Sequence, residues 1–354
     1  MAKVETNVRL DDAGGGRRGL RALPSARVIE ALRERYGIDG SRSSDLGGSS
    51  NLNLLVVDGP ARYVVRVYRP YVTAARLTAI QFVRQELDRG GVPCPQTIPT
   101  REGQAWVNVD GRLLEVERFV KHDAKMDSWD RLEAGLPLLG RIHALLQSVA
   151  VSAAGRTPLF ANHLEPAQVR LATARGTARI RSWQPAPAEE RLASMADELA
   201  ELVTAGEHSL VEGLPRQLVH GDFWDNNVFF RDHRVVLVAD FDFMGERARV
   251  DDLALTLYFA DSTFGHADDN GRRIVQLRRL VDAYDSRLAS RLTAQERVAL
   301  PWAMARQPLW GIGGWVASLD DLRTARDHAA GMTGDVARAL QIAREIDRWQ
   351  AAFA

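Results

Sequence analysis

The fold is decided by two stretches of sequence, Leu218-Val219-His220-Gly221-Asp222-Phe223-Trp224-Asp225-Asn226-Asn227-Val228 and Val238-Ala239-Asp240-Phe241-Asp242. Each stretch follows or ends an apolar run that predicts a short β-strand, so its polar residues fall at strand ends. The first supplies an acid, Asp222, and an amide five residues later, Asn227. The second supplies another acid, Asp240, at the start of a D-F-x triplet. Phosphoryl transfer by kinases uses these three parts at this spacing.

The chemistry of these residue types supports that interpretation. Transfer of a γ-phosphoryl group requires positioning and neutralisation of charge rather than covalent work by the protein. Asp222 is placed to accept the proton of an attacking hydroxyl, while Asn227 and Asp240 offer hard oxygen ligands to Mg²⁺. Asp242 either joins the metal or orients its ligands. A single His-Gly-Asp or Asp-Phe-Asp is common in solvated turns, but the joint spacing favours a kinase.

Composition narrows the class of protein. The chain has 354 residues, enough for two lobes, and Lys+Arg and Asp+Glu both number 46. This balance predicts no general attraction to nucleic acid or to a membrane. The single cysteine, Cys94, excludes an intramolecular disulfide and suits a reducing cytoplasm. No stretch reaches the roughly 18 to 20 apolar residues of a membrane span, and charges interrupt the N-terminus where a signal peptide would be apolar.

The pattern of apolar residues divides the chain. Residues 1–20 predict a loose tail. The segments that follow predict a helix at 24–36 ended by Gly37, strands at 52–57 and 63–68, a helix at 74–89, and strands at 105–109 and 112–120. Beyond residue 121, long helical patterns occur at 132–147, 189–203 and 267–292, interrupted by a strand-like region at 216–238. We therefore expect an α+β bilobal fold with an N-terminal nucleotide-binding lobe at 21–120 and a mainly helical lobe at 121–354.

A glycine-containing loop precedes the first strand pair. Gly47 and Gly48 let the backbone approach phosphates closely, and Ser49, Ser50 and Asn51 add donors. An ordinary turn between strands would explain the same residues. Its place before two strands and a helix favours a phosphate-binding loop.

The quoted stretches, with Asp251-Asp252-Leu253-Ala254 and the run Arg66-Val67-Tyr68-Arg69-Pro70, resemble the aminoglycoside phosphotransferase and choline kinase superfamily. The chain is also similar to type II homoserine kinases and bacterial stress-response kinases, from about Ser25 to the last helices. The resemblance implies a protein-kinase-like fold, ATP as donor with GTP as an occasional substitute, Mg²⁺, and direct transfer to a hydroxyl. It implies Asp222 as base, Asn227 and Asp240 as metal ligands, and Asp252 as a brace of the catalytic loop.

The N-terminal lobe departs from this family at one position. Arg66 stands where the family usually has a lysine that pairs with phosphate. Arginine also binds phosphate, but its planar fork is longer, so its acidic partner is expected to lie elsewhere. Glu86 is the nearest acid on the predicted helix, and a solvated Glu86 is an equally good interpretation.

The strand Leu113–Val120 occupies the position that joins the two lobes in this family. Its backbone is expected to hold the adenine, with Glu117 and Phe119 as nucleotide-binding residues. For Phe119, core packing is the alternative. The choice between ATP and GTP stays open.

The acceptor is expected to be a small molecule with a hydroxyl group. Trp224 and Asp225 lie beside the base and are candidate contacts. Trp302, Arg306 and Trp310 repeat every four residues and predict either core packing or an acceptor wall. The acceptor hydroxyl would belong to an amino alcohol, a sugar or an antibiotic, although aminoglycoside-binding relatives usually carry an acid-rich lobe. Alternatives are a protein Ser/Thr kinase of the stress-response type and a non-catalytic nucleotide-binding regulatory module.

Overall fold

The computed structural model of this chain describes residues 21–48, 51–70, 72–158, 163–265 and 270–354. The predicted tail at 1–20 lies outside the described residues, as do Ser49 and Ser50 of the glycine-containing loop. Within the described ranges, no helix combines the length and the apolar composition that crossing a membrane requires.

An antiparallel sheet and two helices make up the N-terminal part of the chain. Its strands are β1 (Ser43–Asp45), β2 (Leu52–Asp58), β3 (Ala61–Val67), β4 (Thr97–Ile98), β5 (Val107–Val109) and β6 (Arg112–Arg118). Its helices are α1 (Ala26–Ala31), continued by a π-helical turn (Leu32–Tyr36), and α2 (Ala74–Arg89). Leu52, Leu54 and Val56 alternate along β2 and are all buried, so one face of the sheet forms a small apolar core with α1.

The strand order is β1-β2-β3-β6-β4, and β5 also pairs with β6. In the pairing of β3 with β6, Arg66 lies opposite Glu115 and Val64 lies opposite Glu117. Since residues two apart on a strand share a face, the carboxylates of Glu115 and Glu117 project to the same side as Arg66. Charged side chains thus line the face that α2 covers.

The rest of the chain is mainly helical. Its helices are α3 (Trp129–Leu146), α4 (Ala153–Arg156), α5 (Val169–Ser182), α6 (Pro187–Glu207), α7 (Arg249–Phe264), α8 (Asn270–Asp285), α9 (Ala294–Trp310), α10 (Leu322–Arg344) and α11 (Ile346–Phe353). A π-helical turn (Gly311–Val316) follows α9. Helix α7 packs against α9, and α10 packs against α6 and α9, around one large apolar core.

Short strands carry the predicted site into this helical part. They are β7 (Ala124–Lys125), β8 (Arg216–Val219), β9 (Val228–Arg231), β10 (Arg234–Val238) and β11 (Gly245–Ala248). β9 pairs with β10 and β7, while β8 pairs with β11, with Val219 opposite Gly245. The polar residues of both quoted stretches therefore lie where β8, β9 and β10 begin or end.

Element boundaries follow the sequence pattern closely in some places and not in others. The predicted helix at 74–89 matches α2, whose first turn is capped by the Thr73 hydroxyl, which accepts from the Arg76 N–H at 3.2 Å. The pattern at 267–292 extends past the end of α8 at Asp285. There the Asp285 carboxylate accepts the backbone N–H of Leu292 at 2.7 Å and folds the chain into a loop before α9.

Candidate active site

The predicted catalytic loop begins directly after β8, and one buried carboxylate accepts hydrogen bonds from its backbone. Asp252, at the start of α7, accepts the backbone N–H groups of His220 at 3.1 Å and of Gly221 at 2.9 Å. The ring Nε2 of His143 lies 3.0 Å from the same carboxylate. Despite burial, the contact with His143 and the charge of nearby His220 help to lower the pKa of Asp252. Asp252 therefore fixes the backbone at the start of this loop.

Gly221 adopts a backbone conformation that other residues disfavour, with φ of +83°. A Cβ at this position would lie 2.2 Å from the carbonyl oxygen of Phe243. Both observations require glycine here. The close approach brings the segment after Asp240 against the catalytic loop.

Asp222 and Asn227 face each other across a tight turn (Asp225–Asn227). The Asn227 side-chain amide Nδ2 donates to the Asp222 carbonyl at 2.8 Å and to its carboxylate Oδ2 at 2.9 Å. The backbone N–H of Ala239 donates to the Asn227 carbonyl at 2.8 Å, and the His220 ring Nε2 lies 3.1 Å from the Ala239 carbonyl. These bonds place Asp240, the next residue, beside the catalytic loop.

Asp240 follows β10 in a left-handed conformation, with φ of 63°. Its carboxylate Oδ1 lies 3.0 Å from Nη2 of Arg66, and the Asp242 carboxylate lies 3.6 Å from the same nitrogen. The Asn51 side chain donates to Asp242 at 2.5 Å. Burial, with the adjacent charge of Asp240, raises the pKa of Asp242 to about 6. Arg66 thus holds together two acids that would otherwise repel each other.

The donor set suits Mg²⁺ bound together with a nucleotide. The Asn227 side-chain nitrogen Nδ2 donates to Asp222, so the side-chain oxygen Oδ1 is the atom left for a cation. Asp240 is a quarter exposed and supplies an anionic oxygen. In the described part of the chain, no three His, Cys, Asp or Glu side chains form a metal-binding group. One amide and one carboxylate match a hexacoordinate Mg²⁺ whose other ligands are phosphate oxygens and water.

The partner of Arg66 is not on helix α2. Glu86 pairs instead with Arg89 one turn further along α2. Arg66 is 5 % exposed, and its guanidinium also lies over the ring of Tyr68, 5.5 Å from the centroid. The acidic partner of Arg66 therefore comes from the Asp240 motif.

Helix α2 contributes a cation to this region, where the sequence predicts an acidic partner for Arg66. Arg84 Nη1 lies 2.8 Å from Glu115 and 2.7 Å from Glu117, and all three side chains are buried. Tyr68 donates to Glu115 at 2.5 Å. Burial raises the pKa of Glu117 to about 7 in spite of the neighbouring Arg84. Helix α2 thus carries a cation that pairs with two carboxylates of β6, instead of an acid that pairs with Arg66 of β3.

This arrangement limits how Glu117 could contact a nucleotide, and its nucleotide-binding role stays a prediction. Its carboxylate is engaged by Arg84, and its backbone is paired on both sides within the sheet, with Val64 and Thr97. The backbone N–H of Phe119 likewise donates to the Arg62 carbonyl at 3.2 Å. The Phe119 ring is half-buried and stays a predicted contact.

The glycine-containing loop is described only in part. Gly47 and Gly48 have φ of 81° and 107°, a conformation that glycine adopts readily. Asn51 does not face solvent: it donates to Asp242 and accepts the backbone N–H of Arg69 at 3.2 Å. A phosphate-binding role for the loop stays a prediction.

The candidate acceptor residues separate into two groups. Trp224 is half-buried and stacks on Phe259 of α7, with ring centroids 4.9 Å apart, and Asp225 is half-buried beside it. Arg306, by contrast, is 1 % exposed and pairs with Asp251 and Glu207.

The first two residues of the repeat Trp302, Arg306 and Trp310 are buried. Trp302 is buried where a side chain on Gly206 would collide with its ring. Trp302 is thus packed in the core and Arg306 is ion-paired, and an acceptor contact by either residue stays a prediction. Trp310 is half-buried and meets Trp315 edge to face at 5.2 Å, and its role as a contact stays a prediction.

Sequence reasoning missed one residue that connects the site to the N-terminal part. Arg76 donates to the backbone carbonyls of Asp242 at 2.8 Å and of Met244 at 2.5 Å, and to three carbonyls in and just after α4. The signal was present, because Arg76 and Arg84 fall on the same face of α2 as the buried Ile80. Buried arginines on an apolar helix face indicate such contacts.

The geometry places the chain among protein-kinase-like phosphotransferases, and the comparisons with known proteins agree. The model of the Phosphotransferase enzyme family matches residues 43–297, so this chain belongs to that family. The predicted family, α+β fold and enzyme class, a small-molecule kinase, are thereby confirmed.

Several relatives and solved structures are similar to it. Homoserine kinase of Xanthobacter autotrophicus is 25% identical over 286 residues, 77% of this chain and 79% of that protein. Homoserine kinase of Gluconacetobacter diazotrophicus is 28% identical over 258 residues, 72% of this chain and 74% of that protein. The structure of amicoumacin kinase hAmiN with AMP-PNP, Ca²⁺ and Ami superposes with a TM-score of 0.68 at 14% identity, covering 90% of this chain and 94% of that one. A microcompartment-associated aminopropanol kinase gives 0.64 at 22% identity, covering 88% and 95%.

Proposed function

We propose that this chain transfers the γ-phosphoryl group of ATP to the hydroxyl of a small molecule, with Asp222 as base. The observation that carries the proposal is the pairing of Asp222 with Asn227 at 2.9 Å, while Ala239 holds Asn227 next to Asp240. A base and two hard oxygen ligands are thus collected at one point. The family and the homoserine kinase relatives support a hydroxyl acceptor, and the nucleotide in the hAmiN structure supports ATP.

In the proposed reaction, the acceptor oxygen forms a bond to the γ-phosphorus as the bond to the β-phosphate oxygen breaks. The hydroxyl proton passes to the Asp222 carboxylate, and ADP leaves. Asn227 fixes that carboxylate, and Asp252 fixes the backbone that carries it. Asn227 and Asp240 would hold Mg²⁺, which when bound neutralises charge on the phosphate oxygens. Arg66, close to Asp240, is placed to share its guanidinium with the phosphates.

The test is phosphate transfer by the purified chain with MgATP and a panel of small alcohols, amino alcohols, hydroxy amino acids, aminoglycosides and a protein substrate. We expect transfer to a small molecule and a loss of at least about 100-fold in kcat for Asp222→Asn, because the base is removed. Asp232→Asn, the same change on an exposed turn, serves as the matched control and should leave turnover intact.

Two results would contradict the proposal. Phosphate on the protein substrate with none on any small molecule would favour a protein Ser/Thr kinase. ATP binding without Asp222-dependent turnover would favour a non-catalytic nucleotide-binding module. A cytoplasmic setting is part of the proposal, since the chain has one cysteine and an ATP-dependent reaction is assigned to it.

A further inference from the structure

Arg247 presents two unused hydrogen-bond donors close to the catalytic loop. It lies on β11, the strand that pairs with β8, and is 2 % exposed. Its Nε and Nη2 atoms are buried and have no hydrogen-bond partner. The N–H groups of these two nitrogens lie along one edge of the planar guanidinium, the edge that binds a carboxylate with two parallel hydrogen bonds.

Several buried arginines elsewhere in the described part of the chain have acidic partners. Arg249, two residues further on, reaches both oxygens of Glu296, at 2.5 and 2.8 Å. Arg84 and Arg306 each pair with two carboxylates. A buried charged donor without a partner is costly, so such a group in a folded protein calls for a ligand. Arg247 is buried like these arginines, but its Nε and Nη2 atoms have no carboxylate to donate to.

The charge of Arg247 acts on the reaction site. Burial lowers the pKa of Arg247, and the charges of Asp252, Asp251, Glu165 and Asp222 oppose this shift without overcoming it. The guanidinium therefore lies within electrostatic range of the proposed base, and its Nε–Nη2 edge is the part without a hydrogen-bond partner.

A second buried group nearby supports an anion site. His163 has a side chain that is 4 % exposed, and its Nε2 atom has no hydrogen-bond partner, with Asp251 3.6 Å away. Burial and the positive charges of Arg306, Arg247 and Arg216 lower the pKa of His163 well below its ordinary value. Two buried polar side chains in this region, Arg247 and His163, thus have nitrogen atoms without a hydrogen-bond partner.

We propose that Arg247 binds a carboxylate of the phosphate acceptor, so that the acceptor is a small hydroxylated carboxylic acid, such as a hydroxy amino acid, rather than a plain amino alcohol. This inference rests on the proposed kinase function and names its substrate class. The carboxylate meets the Nε–Nη2 edge while the hydroxyl lies at Asp222. Because Arg247 is 2 % exposed, entry of the carboxylate requires side chains around it to change rotamer.

The experiment compares two acceptors that differ only by a carboxylate, L-homoserine and 3-aminopropan-1-ol. We expect wild type to favour homoserine in kcat/KM by about 10- to 100-fold, the range of a charge-assisted hydrogen-bond pair. Arg247→Gln should bring the ratio of the two kcat/KM values close to one, mainly through KM for homoserine. Arg344→Gln, which removes an exposed arginine paired with Glu198, is the matched control and should keep the wild-type ratio.

A second variant covers the event that Arg247→Gln does not fold. Arg247→Lys retains the charge but lacks the fork, and we expect it to lower the preference for homoserine by about tenfold. Homoserine should also raise the melting temperature of wild type more than 3-aminopropan-1-ol does, a readout that needs no turnover.

The inference is overturned if wild type phosphorylates both acceptors alike, prefers acceptors without a carboxylate, or keeps its preference in both Arg247 variants. In those cases Arg247 does not bind the acceptor, and the kinase proposal stands. Failure of the kinase proposal looks different, because no acceptor of any class would then show Asp222-dependent phosphorylation.

Discussion

Asp252→Asn tests whether one buried carboxylate holds the catalytic loop in place. Asp252 accepts three hydrogen bonds, from the backbone N–H groups of His220 and Gly221 and from the ring of His143. An asparagine keeps one acceptor oxygen and presents an NH₂ group to the donors that faced the other oxygen. The His143 ring can change its tautomer, but the peptide N–H of His220 has no alternative.

The magnitude follows from these contacts. One unsatisfied buried donor costs about 1 to 3 kcal/mol, and the loss of charge from the remaining bonds costs about 1 kcal/mol more. We therefore expect the free energy of unfolding to fall by about 2 to 4 kcal/mol. Displacement of the loop by about an ångström should also lower kcat by about 100-fold, although Asp252 has no proposed contact with the substrate.

Urea unfolding followed by circular dichroism measures the first quantity, and initial rates with saturating MgATP measure the second. Asp232→Asn again provides the exposed control, with an expected change within about 0.5 kcal/mol. The reasoning is refuted if Asp252→Asn unfolds within the same margin of wild type and retains its kcat. The brace would then be dispensable.

Two further changes test the packing and the electrostatics. Gly59→Ala should lower the free energy of unfolding by only about 1 to 2 kcal/mol, because its φ of +55° is strained for alanine but nothing lies within 4 Å of the new Cβ. Gly221→Ala should lower it clearly more and abolish activity, since its Cβ would also lie 2.2 Å from the Phe243 carbonyl oxygen. Equal losses of stability in urea unfolding would contradict this account. Burial raises the pKa of Glu207 to about 7, so the folded chain takes up a proton between pH 8 and 6 that the unfolded chain does not. The free energy of unfolding of wild type should therefore rise by about 1 kcal/mol relative to that of Glu207→Gln as the pH falls from 8 to 6. If urea unfolding gives the same difference in stability between the two proteins at both pH values, the pKa of Glu207 is not raised.

Local features could be predicted from the sequence. Asp222 and Asn227 are five residues apart, and a loop that short brings their side chains together whatever surrounds it. The strands β2 and β3 follow from alternating apolar residues around a tight turn, and α2 from its helical period and its cap. Signals of this kind depend on neighbours within a few residues.

The partners of buried charges could not be predicted in the same way. Arg66 meets Asp240, 174 residues further along the chain, rather than an acid on α2. Glu117 was interpreted as a nucleotide contact because of its strand, yet Arg84 of α2 takes its carboxylate. Arg306 has the spacing of an exposed stripe but is enclosed with Asp251 and Glu207. Helical period shows which residues share a face, not what that face meets.

The sequence alone determined the family, the α+β class and the three residues proposed for the reaction, because those depend on short spacings along the chain. Tertiary structure decided which charges are paired and which are left over. The packing of α2 on β6 engages Glu117, and the pairing of β11 with β8 brings Arg247 near Asp222 without a partner. The energy of a buried charge depends on every group around it, and those groups are gathered only when distant segments pack together.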